Sequence, residues 1–446
     1  MHKIYFRADA SGNIGYGHFV RTLALADMLK EDFDCTIFTQ TASEFQKAEA
    51  ASVCRMIELP SDESRFGLFL EMLSGNETVV LDNYFFSAGY QKAIKEKGCR
   101  LVCIDDLHDR HFYADLIINH CFSDCSGYEC EEYTRFCLGP RWALLRRPFL
   151  NAGTNSGNTR NWLITFGGTD QHGLTSLYKS VLEQSGLADR IETVDASRRL
   201  NASQMASLMG ECGNVICSAS SVCYEALACG CKVYAGYYVD NQKDLYDSLV
   251  EKNLITPLGN LLEKDAALPE GAEECGGLAF TDCAANYRLV FRALTLQAVN
   301  YTDMTPAQSF KTWECRNRED IRRWMTNPEP FSFESHCSFV EKLKKDSTKL
   351  YYSFFDGEEF LGSYDFTDIV DGETSGRGLY VNPEYQGRHI ASMMEKYLEC
   401  EIVRRGVKTL TAEVFRNNGK SIAFHLRAGY IKVGEDERFI YFKKEI

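Results

Sequence analysis

The run Arg7-Ala8-Asp9-Ala10-Ser11-Gly12-Asn13-Ile14-Gly15-Tyr16-Gly17-His18-Phe19-Val20-Arg21-Thr22 places one imidazole at the mouth of a glycine-rich turn. Gly12, Gly15 and Gly17 let backbone approach a ligand closely. The strand Lys3-Ile4-Tyr5-Phe6 precedes the run. A helix beginning near Gly17 follows it, with Leu23, Leu25, Ala26, Met28 and Leu29 as its apolar side. Such a helix start gathers unpaired N–H groups and the positive end of the helix dipole, which suits an anion. The same dipole disfavours an imidazolium, and a neutral ring accepts a proton, so His18 is a candidate general base. A glycine turn after a strand also occurs in α/β proteins with no site there, and spacing alone leaves both readings open.

Short apolar runs recur and end in polar residues. Thr78-Val79-Val80-Leu81 ends in Asp82-Asn83-Tyr84, Leu101-Val102-Cys103-Ile104 in Asp105-Asp106, and Leu116-Ile117-Ile118 in Asn119-His120. Cys35-Thr36-Ile37-Phe38 is a further strand. Strands alternating with helices imply parallel sheets, which bind ligands beyond their carboxyl ends. Asp9, Asp82 and Asp105 are therefore either site residues or helix and turn caps. After the polar stretch 151–160, Trp162-Leu163-Ile164-Thr165-Phe166 runs into Gly167-Gly168-Thr169-Asp170, a second turn suited to a diphosphate. Asn214-Val215-Ile216 leads through Ser220-Ser221-Val222 to Glu225, early in the next helix. Glu225 is either an acceptor for ribose hydroxyls or an acid favoured by the helix dipole.

These motifs resemble, over the first two thirds of the chain, the UDP-sugar hydrolases of pseudaminic acid biosynthesis, relatives of the MurG-like glycosyltransferases with the two-domain GT-B fold. The resemblance implies His18 as catalytic base. It also implies a substrate site of Gly15, Gly17, Asp82, Tyr84, Gly167, Gly168, Thr169, Ser221, Glu225, Asn241 and Gln242 for a UDP-linked diacetamido sugar. Ser220-Ser221-Val222 departs from the Gly-Ser-Thr usual before that helix.

The last 150 residues carry a different pattern. Gly378-Leu379-Tyr380-Val381 leads into Asn382-Pro383-Glu384-Tyr385-Gln386-Gly387-Arg388-His389-Ile390-Ala391, and Asn417-Asn418-Gly419-Lys420-Ser421 precedes Phe424-His425-Leu426-Arg427-Ala428-Gly429-Tyr430. This resembles the GCN5-related N-acetyltransferases, with His389 where a glycine is usual and His425 where the family has tyrosine. The resemblance implies an acetyl-CoA site of Val381, Gln386, Gly387, Arg388, His389, Ile390, Ala391, Asn418 and Ser421. His425 is either the acid that protonates the thiolate or a packing residue. Arg316, Arg318 and Trp324 are either contacts for an acceptor nucleotide or surface and core groups. Asp368 and Glu413 are candidates for taking the acceptor's proton.

The expected fold is thus α/β: a GT-B pair of Rossmann-like domains (1–152 and 153–293) followed by a GNAT domain (294–446), whose first strand is read at Leu294–Val299. The expected function is bifunctional. One part N-acetylates the 4-amino group of UDP-4-amino-4,6-dideoxy-N-acetyl-β-L-altrosamine with acetyl-CoA. The other hydrolyses UDP-2,4-diacetamido-2,4,6-trideoxy-β-L-altropyranose. The alternatives are a related legionaminic-type UDP-amino sugar, a MurG-like glycosyltransferase, or a nucleotide-sugar-binding scaffold. Net charge of −14 over 446 residues argues against nucleic acid or anionic membrane as partner. No apolar run reaches the roughly 20 residues of a membrane span, and the N-terminus carries no export-signal pattern, so a cytoplasmic enzyme with reduced thiols is expected. Cys121, Cys125 and Cys130 beside His120 lack paired zinc-knuckle spacing, and no metal is expected.

Overall fold

The computed structural model describes all residues except 11–15, 122–124, 151–157, 168–169, 171, 196, 199, 264–266, 269–282 and 371–373. Contacts divide the chain into two units, Met1–Arg288 and Leu289–Ile446.

In the first unit, strands β1 (Lys3–Arg7), β2 (Asp34–Gln40), β3 (Arg55–Leu59), β4 (Thr78–Leu81), β5 (Arg100–Ile104), β6 (Leu116–Asn119) and β7 (Arg135–Leu138) form one sheet in the order β3-β2-β1-β4-β5-β6-β7. All pairs are parallel. The middles of the central strands are apolar because both faces are covered; all four residues of β4 and of β6 are buried. The chain leaves β1 for β2 on one side and later lays β4 on the other. A crevice therefore opens between the loops after β1 and β4. Helix α1 (Gly17–Leu29) begins there.

A second parallel sheet contains β8 (Asn158–Thr165), β9 (Arg190–Thr193), β10 (Cys212–Ser218), β11 (Lys232–Tyr237) and β12 (Thr256–Asn260), in the order β9-β8-β10-β11-β12. Helices α2 (Leu174–Ser185) and α3 (Ser221–Ala228) follow β8 and β10. Trp162, Ile164, Phe166, Tyr178 and Ile216 are part of its core. The two sheet regions are tied together: Tyr224 donates to the His120 carbonyl, Tyr287 to the Trp142 carbonyl, and Arg146 pairs with Glu225 at 2.8 Å.

The second unit is a mixed sheet of β13 (Gln297–Asn300), β14 (Leu350–Asp356), β15 (Glu359–Thr367), β16 (Thr374–Val381), β17 (Thr409–Phe415), β18 (Ile431–Glu435) and β19 (Phe439–Glu445), ordered β13-β14-β15-β16-β17-β19-β18. Its first strand begins at Gln297 rather than Leu294, because Leu294 still closes the helix Cys283–Leu294. Every neighbouring pair is antiparallel except β16 and β17. Those two are registered only from Thr374↔Thr409 to Gly376↔Thr411, although they run on to Val381 and Phe415. Past Gly376 they part and leave a gap in the sheet. Helices α4 (Pro306–Asn317), α5 (Ile390–Ile402) and α6 (Gly419–Arg427) complete the unit.

Arg7 and Asp9 at the end of β1 are both fully buried and paired. Asp9 also accepts from the Gln40 backbone at 2.8 Å and exchanges bonds with Asn83 across the crevice floor. Removing one member strands the other charge. Asp9→Ala is expected to destabilise the first unit by about 3–5 kcal/mol, read by denaturant unfolding; a loss under about 1 kcal/mol would contradict this placement.

Candidate functional sites

The first site grows from one turn of α1. Residues spaced three and four apart share a helix face, so His18, Arg21 and Thr22 all reach Asp82, just past β4. Arg21 grips the carboxylate with Nε (2.7 Å) and Nη2 (2.6 Å), Thr22 Oγ1 donates at 2.9 Å, and His18 Nδ1 lies 2.7 Å from Oδ1. Arg21 Nη1 reaches Asp106 at 2.9 Å. Burial alone would raise the Asp82 carboxyl, but the Arg21 guanidinium and the His18 ring hold it well below its usual range. Asp106 is likewise lowered by Arg21 against the cost of its burial.

The sequence placed Asp82 among substrate contacts. In the structure it is fully buried and accepts four bonds from its own chain, a place suited to positioning His18. A carboxylate on Nδ1 fixes that nitrogen as donor and leaves Nε2 as acceptor; the tautomer follows from this hydrogen bond. The Tyr84 ring stands edge-on to His18, centroids 4.6 Å apart. Its hydroxyl, raised by burial and by Asp106, accepts from Asn241 Nδ2 at 2.9 Å. Asn241, beyond β11, thus brings the second sheet region to the His18 cluster.

Gly17 opens α1 with space where a Cβ would stand. Gly167 has φ +89 and the same open space. Asp170 caps α2 through the Leu174 and Thr175 amides, both at 2.9 Å. Ser221 is the first residue of α3. Glu225 is buried, its carboxyl raised by desolvation against Arg146, which it pairs through Oε1. Gln242 is turned inward, its Oε1 accepting from the Tyr238 amide at 3.1 Å. Gly15, Gly168 and Thr169 lie outside the described residues. Asp9 is held by Arg7, and Asp105 caps a turn through the Leu107 and His108 amides.

Three residues join the cluster that the sequence offered only as polar neighbours of a turn or a strand end. Arg21 and Asp106 are visible only once α1 and β5 are placed side by side. His120 is buried, with Nδ1 unpartnered and its pKa brought down to about 4 by desolvation and then by Arg21. Among the described residues no three His, Cys, Asp or Glu side chains gather as a metal site, and no disulfide joins the described cysteines.

The second site lies at the gap between β16 and β17. Val381 ends β16, and a 3₁₀ turn (Pro383–Tyr385) leads to Gln386, Gly387 (φ +82), Arg388 and His389 (φ +60), then Ile390 and Ala391 in the first turn of α5. Two successive left-handed turns of backbone here explain why glycine suits position 389. The first amides of α5 lack intrahelical partners, a setting suited to the pyrophosphate of acetyl-CoA. Lys420 Nζ reaches Gln386 Oε1 at 3.5 Å, Arg388 lies over the Tyr385 ring, and Asn418 caps α6 through the Ser421 amide at 3.1 Å.

Of the two readings of His425, the contacts it makes are those of packing. Its ring is buried, stacked on Phe442, and donates from Nδ1 to the Ser421 carbonyl at 2.7 Å. Burial first, then Arg377, brings its pKa down to about 3. A ring that is neutral at working pH has no proton on Nε2 to give. Arg318 pairs with Asp320 and Glu384, and Trp324 stacks under Arg323. Asp368 and Glu413 are exposed.

Residues 318–430 match the family model "Acetyltransferase (GNAT) family". The chain is similar to the UDP-2,4-diacetamido-2,4,6-trideoxy-β-L-altropyranose hydrolase of Campylobacter jejuni, 27% identical over 282 residues, covering 56% of this chain and 97% of the relative. Acetyltransferase PseH of the same species is 30% identical over 143 residues, covering 32% of this chain and 88% of the relative. A crystal structure of Campylobacter jejuni N-acetyltransferase PseH with acetyl coenzyme A aligns at 25% identity over 34% of this chain and 98% of that one, with TM-score 0.28. No helix among the described residues is long and apolar enough to cross a membrane.

Two outcomes test these geometries. Asp82→Asn replaces the carboxylate that fixes the His18 tautomer with an uncharged amide able to donate to Nδ1, and should lower turnover at the first site about 100- to 10,000-fold, read as UDP released from a UDP-sugar. At the second site, His389→Gly and His389→Val should differ in stability of the C-terminal transition by about 1–2 kcal/mol, glycine being the more stable because valine is strained at positive φ; calorimetry of the two variants checks it.

Proposed function

We propose, from the premise that this chain belongs through its C-terminal region to the GNAT acetyltransferases of the PseH kind, that it is a bifunctional enzyme acting on one UDP-linked amino sugar in two steps. The GNAT region (proposed bounds 294–446) transfers acetyl from acetyl-CoA to the 4-amino group of UDP-4-amino-4,6-dideoxy-N-acetyl-β-L-altrosamine. The N-terminal regions (1–152 and 153–293) hydrolyse the UDP-2,4-diacetamido-2,4,6-trideoxy-β-L-altropyranose that results, giving free sugar and UDP. All described cysteines lack disulfides, which fits work in the reducing cytoplasm.

The observation that carries the hydrolytic reading is the His18–Asp82 pair at the crevice, with Tyr84 and Asn241 beside it. His18 Nε2 takes a proton from water as the oxygen attacks the anomeric carbon. Asp82 steadies the imidazolium formed, as a buried carboxylate does for a catalytic histidine. Amides at Gly17 and Gly167 face the departing diphosphate, and Glu225 with Ser221 at the head of α3 serves the nucleoside. In the second unit, the amides of Gln386–Ala391 hold the pyrophosphate of acetyl-CoA, and the gap beyond Gly376 admits the thioester arm.

Purified protein given the UDP-diacetamido sugar with no acceptor should release UDP. His18→Ala should lower that release by at least about 100-fold while acetylation of the 4-amino sugar continues. UDP release that requires an added acceptor would replace hydrolysis with glycosyl transfer, and absence of release under either condition would overturn the reading.

A further inference from the structure

Acetyl transfer to an amine needs a group to remove the ammonium proton, and the two carboxylates the sequence offers, Asp368 and Glu413, are both exposed. Asp368 is an exposed residue in a left-handed turn, and Glu413 points to solvent from β17. Glu395 and Glu399 are locked beneath the sheet by Arg377 and Lys444.

Asp365 differs from all of these. Successive strand residues face opposite sides, so Asp365 lies on the face away from Tyr364, which reaches Glu395 of α5. In register it stands between Tyr351 of β14 and Gly378 of β16. A Cβ on residue 378 would fall 2.6 Å from Asp365 Oδ2 and 2.9 Å from Oδ1. The glycine is therefore what lets the carboxylate lie across the backbone of β16. That crossing is two residues past Gly376, where β16 and β17 part.

The charged and titratable groups acting on Asp365 are Arg316 from α4, Arg377 from β16, Tyr351 from β14 and Tyr301, with the Gly378 amide as donor. Burial outweighs the two arginines and raises the carboxyl to about 6. Arg316, which acts on Asp365, has its Nη1 buried with no hydrogen-bond partner among the described residues.

We propose that Asp365 is the general base of the acetyl transfer, taking the acceptor's ammonium proton at the gap where β16 and β17 separate. The inference rests on the acetyltransferase reading above. The ammonium N–H bond breaks toward Asp365 and the freed nitrogen lone pair attacks the thioester carbonyl carbon. The C–N bond forms and the C–S bond breaks. Of the two protons the nitrogen loses on the way to the amide, one ends on the thiolate and the other reaches solvent. Such a base works best with its pKa near operating pH.

The test compares wild type, Asp365→Asn, Asp365→Glu and Gly378→Ala across pH, with acetyl-CoA and UDP-4-amino-4,6-dideoxy-N-acetyl-β-L-altrosamine, following thiol release. For wild type and Asp365→Glu, kcat/KM for the acceptor should rise with pH through a limb near 6. Asp365→Asn should lose that limb and fall about 100-fold or more, with Kd for acetyl-CoA within about twofold of wild type as the control that the variant is folded. Gly378→Ala pushes the carboxylate aside without removing it and should lower kcat more than it changes Kd. An Asp365→Asn enzyme within threefold of wild type, or one keeping the limb, overturns the proposal. Wild type inactive on this acceptor and on a panel of other UDP-4-amino sugars would instead sink the acetyltransferase reading.

Discussion

The first unit depends on keeping one carboxylate ionised where water cannot reach it. Burying such a charge costs several kcal/mol even after relaxation, and Asp82 is fully buried. Four donors offset that cost, and all come from three residues on one turn of α1: His18, Arg21 and Thr22. Helix α1 must therefore begin at Gly17, and β1 must lie beside β4, or the donors miss. Because the folded carboxyl sits below its unfolded value, its contribution to stability is fully present above about pH 4 and is lost only as pH falls through the lower, folded value.

Both units use a strand that runs into a helix N-terminus, but they open the site differently. In the first, strand order does it: β2 and β4 lie on opposite sides of β1, and the loops above them part. In the second, register does it: a parallel pair inside an antiparallel sheet holds for three residues and then diverges. The first opening places a histidine over a rigid ionic base. The second exposes backbone along β16, and Gly376 and Gly378 keep that backbone close to its neighbours, where Cβ atoms would meet Thr367 and Asp365.

Much of this was legible in the sequence. Continuous apolar runs such as Thr78–Leu81 and Leu116–Ile118 are the mark of strands covered on both faces, and they stand where expected. Strand β3 escaped because it is partly exposed, with Arg55 and Glu58 interrupting its apolar residues, and the short β7 begins with a charged residue. The His18 turn and the Gln386–Ala391 loop could be read because their chemistry is local. Arg21, Asp106 and Asp365 could not, because each acquires its role from a partner 13 to 85 residues away. His425 stayed open between two readings for the same reason: its position in the motif is local, whereas its burial against Phe442 and its exposure to the field of Arg377 are not.

Asp82 and Asp365 show how one side chain serves opposite ends. Each lies near an arginine, Asp82 fully buried and Asp365 partly so, and desolvation is the largest influence on both. Asp82 receives direct side-chain bonds from Arg21, Thr22 and His18, so donors outweigh desolvation and the charge is permanent. Asp365 has one backbone donor and arginines acting through space, so desolvation wins and the carboxyl titrates near neutrality. A carboxylate held ionised well below the usual range is suited to orient and steady another group. One that titrates near working pH is suited to carry the proton itself. Environments that drive two carboxylates apart in this way assign their roles, and here the number of donors within bonding distance, more than depth of burial, decides which carboxylate holds the histidine and which exchanges the proton.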